Sequence, residues 1–102
     1  MITDKQFIDS FTAAGGWFLL KNFEEIYNWK GTKADLIERL YKEGFDGERS
    51  GTATRVSSVL RIIDNQRGED ALLKIRDSKR INQLHPGASV QATALLKKYY
   101  NN

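Results

Sequence analysis

Four apolar residues, Val56, Val59, Leu60 and Ile63, recur at i, i+3, i+4 and i+7 within the stretch RSGTATRVSSVLRII (49–63). At 100° per residue this spacing puts them on one stripe of an α-helix. Thr54, Ser58, Arg61 and Asn65 fall about half a turn away, on the opposite face. Such a helix cannot stand alone in water, so the rest of the chain must cover its stripe.

The other segments offer helices for that purpose. Thr3 and Gln6 form a Thr-x-x-Gln capping box, with Ile2 and Phe7 placed as a hydrophobic staple. Phe7, Ile8 and Phe11 then face inward until Gly15-Gly16 stops the helix. Trp17-Phe18-Leu19-Leu20 has strand propensity. No second strand is available to pair with it, so residues 17–29 read as a second helix, with Asn22 as an alternative cap. Thr32 caps a third helix whose face is Leu36, Ile37, Leu40 and Tyr41, ending at Gly44.

Residues 46–51 read as a loop, Thr52 or Thr54 as the cap of the fourth helix, and Asn65 as its end. A fifth helix is expected over 69–79, with Ile81 and Leu84 tucked under the next turn. A last helix follows His85-Pro86-Gly87, with Ala88, Ala92, Leu95, Leu96 and Tyr99 inward. The expectation is an all-α fold: one domain over 1–102, a compact bundle of about five to six short helices. At 40% hydrophobic and 28% charged residues, the chain has enough apolar material for one core and is not disordered by composition.

Several chemistries are excluded or left without support. There is no cysteine, hence no disulfide, thiolate metal site or cysteine nucleophile. The one histidine, His85, stands beside a proline in a turn, where capping is the simpler role. Glu24 and Glu25 are adjacent and point to different sides of a helix, and Asp46, Glu48 and Asp64 lack the spacing of a calcium loop. No enzymatic activity, cofactor or metal is expected. The longest apolar run, Trp17–Leu20, is far short of a membrane span. The start shows no apolar signal stretch, so the expected compartment is the cytoplasm.

Charge is unevenly distributed. Residues 1–48 hold six Lys/Arg against nine Asp/Glu, a balance of −3; residues 49–102 hold ten against four, a balance of +6. Phosphate recognition needs Lys and Arg on one surface with Ser/Thr donors and helix N-termini. The first expectation is therefore a nucleic-acid-binding domain, for DNA above RNA. It would use the basic second half and the polar face of helix 52–65. The expected contacts are Arg49, Ser50, Thr52, Thr54, Arg55, Ser58, Arg61, Arg76 and Arg80.

The third and fourth helices have the order of a helix-turn-helix pair, but Gly44 to Thr52 is longer than its usual turn. The alternative is a protein-interaction module, a small adaptor or inhibitor of a compact phage or mobile-element kind. Its basic face would meet an acidic partner, anchored by Trp17, Trp29, Tyr99 or Tyr100. The arginines also have a plainer use in ion pairs: Arg55 with acids of the third helix, and Arg67 with Glu69 or Asp70.

Overall fold

Thr3 is extended, its Oγ1 accepts from the Gln6 N–H at 3.1 Å, and the Gln6 Oε1 accepts from the Thr3 N–H at 2.9 Å. This capping box starts α1, Asp4–Ala14. A computed structural model describes all 102 residues, and all its regular elements are helices. After α1 come α2 (Gly16–Tyr27), α3 (Lys33–Tyr41), α4 (Arg49–Asp64), α5 (Gly68–Arg76), α6 (Lys79–Leu84) and α7 (Ala88–Tyr100).

Seven helices stand where five or six were expected, and the extra one comes from a single cap. The fifth helix does not run to residue 79. Ser78 adopts an extended backbone and its Oγ accepts from the Ile81 N–H at 3.1 Å, which restarts the chain as α6. Only one residue separates α1 from α2. Gly15 takes φ +80°, and the Gly15 carbonyl already accepts from the Leu19 N–H, so Gly16 is helical and the Trp17–Leu20 run lies within α2. Asn22 caps nothing; it is buried and its Nδ2 donates to the Phe18 carbonyl at 3.1 Å.

α4 is the element the others cover, packing against α1, α2, α3 and α5. Neighbours on several sides bury a wider arc than one stripe. Val56 and Val59 are buried as expected, but Thr52 and Ile62 join them, while Leu60 and Ile63 are half-buried. The second large contact joins α5 to α7 through Ala71, Leu72 and Ile75 on one side and Ala88, Ala92 and Leu96 on the other. α2 lies between the two pairs, with Phe18, Leu19 and Phe23 fully enclosed. In α1 the inward positions are Phe7, Ser10, Phe11 and Ala14; Ile8 faces solvent, because it lies off the stripe that those i, i+3, i+4 and i+7 positions form.

Candidate docking cleft

The fourth helix starts three residues earlier than Thr52. Glu48 is its extended N-cap, without a side-chain cap bond, and Arg49, Ser50 and Gly51 form the first turn. The displaced Thr52 has no capping duty. It is fully buried and its Oγ1 donates to Asp46 Oδ2 at 3.1 Å. Arg55 comes to the same carboxylate, its Nε 3.0 Å from Asp46 Oδ1. Its Nη1 donates to the Ala14 carbonyl at 2.7 Å, and its guanidinium lies 4.8 Å from the Phe45 ring centroid. Asp46, Thr52 and Arg55 thus tie the α3–α4 connection to the end of α1.

The nine residues expected to contact nucleic acid are therefore dispersed. Thr52 is inside the protein and Arg55 is occupied. Arg49 is paired with Glu38 of α3, and Arg76 forms a two-point bond with Asp77 at 2.9 and 3.2 Å. Ser50 is exposed on the first turn of α4. Thr54 and Ser58 donate their hydroxyls to the carbonyls one turn back, Ser50 and Thr54. Thr54, Ser58 and Arg61 remain together along the outer edge of α4, with Arg61 in no ion pair. Arg80 is on α6, also unpaired. The acidic first half and basic second half meet in Glu38–Arg49, Asp46–Arg55, Asp4–Arg67 and Glu24–Lys98, so much of the sequence asymmetry is cancelled within the fold.

A different feature stands open beside this network. The end of α1, the start of α2, the Phe45 loop and α6 enclose a cleft of about 500 Å³. That is within the roughly 300–1,000 Å³ typical of ligand and peptide pockets. Phe18 and Phe45 form one wall, edge to face with centroids 5.3 Å apart. Trp17 and His85 form another, stacked at 4.1 Å with ring planes 2° apart. Ile81 lies over Gly16 so closely that a Cβ there would require the Ile81 side chain to shift. Leu84, at the mouth, is 65% exposed. Arg80 and His85 bring polar nitrogen to the lining, and no carboxylate lines it.

Gly15 serves the cleft twice. Its backbone turns the chain from α1 to α2, and a Cβ on it would sit 2.6 Å from the Arg55 guanidinium. The polar network therefore fixes the corner and Phe45, which are two sides of the cleft.

Sequence reasoning singled out Trp17 as an anchor and Arg80 as a contact, but not Gly16, Phe45, Ile81 or Leu84. Leu84, expected to tuck under the turn before α7, instead stands 65% exposed at the mouth, on a helix that buries none of its residues.

Perturbed ionisable groups lie outside the cleft. Lys98, helped by the Tyr99 hydroxyl, holds the Glu24 carboxyl below its ordinary range, and Glu24 raises Lys98 in turn. Arg39 lowers Glu43, and Arg76 lowers Asp77. Burial, with Tyr27 and Glu69 nearby, pushes the Tyr100 phenol up to about 12. No cluster of three His, Asp or Glu side chains is arranged to hold a metal, and no helix is long and apolar enough to cross a membrane. No protein-family model matches the chain, and no curated protein or solved structure is significantly similar to it.

Proposed function

We propose that the protein is a protein-interaction module that holds its partner in the cleft between α1, α2 and α6. One observation carries this reading: an aromatic and aliphatic cleft is left open, with Leu84 at its mouth 65% exposed. Aromatic anchors in a preformed pocket are where binding energy concentrates at protein interfaces. Three of the five arginines that favoured nucleic acid in the sequence are engaged elsewhere. Arg49, Arg55 and Arg76 would each have to leave a carboxylate to reach a phosphate.

A photo-crosslinking side chain at position 84, with position 97 as an exposed control on α7, tests the proposal in extract with and without nuclease treatment. The expected result is a discrete protein adduct at 84 and none at 97. Equal yields at both positions, or capture that disappears with nuclease, would count against it.

A second reading, nucleic-acid binding, keeps the support of the outer edge of α4, where Thr54, Ser58 and the unpaired Arg61 fall at i, i+4 and i+7. It requires low-salt retention of duplex DNA or RNA, weakened by Arg61→Ala, with log K falling about 0.9 per log unit of salt for each phosphate neutralised. No retention at low salt ends that reading.

A further inference from the structure

Resting on the docking reading above, we infer that the occupant of the cleft is an acidic amphipathic helix of another protein. The argument is charge complementarity around an apolar centre. No carboxylate lines the cleft, whereas Arg80 does. Lys79 precedes Arg80 on the exposed first turn of α6, and neither is in an ion pair. Lys74 stands on the Phe11 side, its Nζ 5.5 Å from the ring centroid and likewise unpaired.

Several of the carboxylates nearest along the chain are committed, while Glu48, three residues past Phe45, is exposed and in no ion pair. Asp46, beside Phe45, is held by Arg55; Asp77, beside Ser78, by Arg76; Asp9, one turn before Thr12, by Lys5 at 2.9 Å. Arg80 therefore brings a cation into a lining that holds no carboxylate. A partner bearing Asp or Glu gains from it, and one bearing Lys or Arg is repelled.

The backbone of the occupant follows from the fold. An extended peptide would gain no strand-type backbone ladder here, since this all-helical protein has no sheet edge. A helix satisfies its own backbone. It can lay large apolar side chains between Phe45, Trp17, Ile81 and Leu84 while an acidic edge faces Lys79 and Arg80.

Selection from a displayed random-peptide library tests the inference on the full chain. Peptides of about 15 residues suit it, since isolated helices shorter than that are marginal. Counter-selection uses the Leu84→Asp protein, in which the mouth is altered at an exposed position. The expected winners combine Asp or Glu with large apolar residues at helical spacing. Their affinity should fall about thirtyfold on Leu84→Asp and roughly tenfold on Arg80→Glu. Glu-to-Lys versions of the winners should then recover on the Arg80→Glu protein.

Neutral, basic or proline-rich winners that depend on Leu84 would overturn the acidic helix and leave the docking reading in place. A Leu84-dependent dimer of the protein alone would overturn it in favour of a second copy. If no Leu84-dependent peptide emerges, both the inference and the docking reading fall.

Discussion

Arg55 shows how one side chain can be claimed by structure before it is available for recognition. Its charge is held by Asp46, whose other oxygen takes the buried Thr52 hydroxyl. Truncating Asp46 leaves a half-buried guanidinium and a buried hydroxyl without their acceptor. Because Arg55 keeps some solvent access, Asp46→Ala should cost about 1–3 kcal/mol rather than the full penalty of a deeply buried pair. Urea unfolding would measure it, and a loss below roughly 0.5 kcal/mol, the level of an ordinary surface substitution, would mean the network is incidental. Gly15→Ala strikes the same place twice, through a positive φ and a 2.6 Å approach to Arg55. It should cost about 1–3 kcal/mol and shift the indole environment of Trp17, which fluorescence would follow.

Tyr100 offers a separate test at this scale. Its phenol is pushed up to about 12 from 10.0, chiefly by burial. A raised folded value means the folded state holds the proton more tightly. The associated stability is complete below pH 10 and is lost as pH rises from 10 toward 12. Glu24, Glu43 and Asp77 work in the opposite sense: their values are lowered by cations, so their contribution is present at neutral pH and lost in acid. Denaturation of the protein and of Tyr100→Phe across alkaline pH should differ in slope only on the alkaline limb. Identical slopes would show that Tyr100 is not the group concerned.

Among the elements, α6 is the least secured. None of its six residues is buried. It is held by the Ser78 cap and by Asn82, whose Nδ2 donates to the Ser78 carbonyl at 2.7 Å and the Ile75 carbonyl at 3.2 Å. The Asn82 Oδ1 accepts from the Ser89 N–H at 2.7 Å, so one amide side chain joins α5, α6 and α7. Amide exchange in 79–84 should be faster than in α4, and Asn82→Ala should speed it further while leaving α4 protected. Uniform exchange across both helices would contradict this weak attachment.

The elements also show what a sequence can and cannot display. Helix ends written in side chains were legible: the Thr3–Gln6 box, the Thr32 cap and the break at Gly15 all stand as expected. Ends set by backbone or by tertiary packing were not. Glu48 begins α4 without a side-chain bond, and Thr52, a good cap by type, is drawn inward by Asp46. Ser78 was legible in principle, since it is a capping residue by type. The cleft was the least readable feature. Its walls come from three separate stretches of chain, and no periodicity links Gly16, Phe45 and Leu84.

Across the whole molecule, acidic and basic halves are folded onto each other, which converts a sequence balance of −3 and +6 into cross-chain pairs. Glu38–Arg49 and Glu24–Lys98 are exposed on both sides and Asp4–Arg67 on the Asp4 side, so each contributes little by itself. Added salt should therefore leave stability nearly unchanged while weakening binding of an acidic peptide through Lys79 and Arg80. Thermal unfolding and peptide titration over the same salt series would separate the two effects. A parallel loss of both would place the important pairs within the fold rather than at the cleft.

The bond from Arg55 to the Ala14 carbonyl spans 41 positions along the chain. Its consequence lies in the order of assembly. Contacts of such separation form after a long loop has closed, later than the local turns of α1 and α2. During synthesis, α1 and α2 emerge first, and their corner stays unlatched until Asp46 and Arg55 arrive. α6 comes later still. A nascent chain that has not yet reached α6 therefore has most of the aromatic residues of the cleft but not the cleft. A partner that recognises the cleft would distinguish the folded molecule from those earlier precursors.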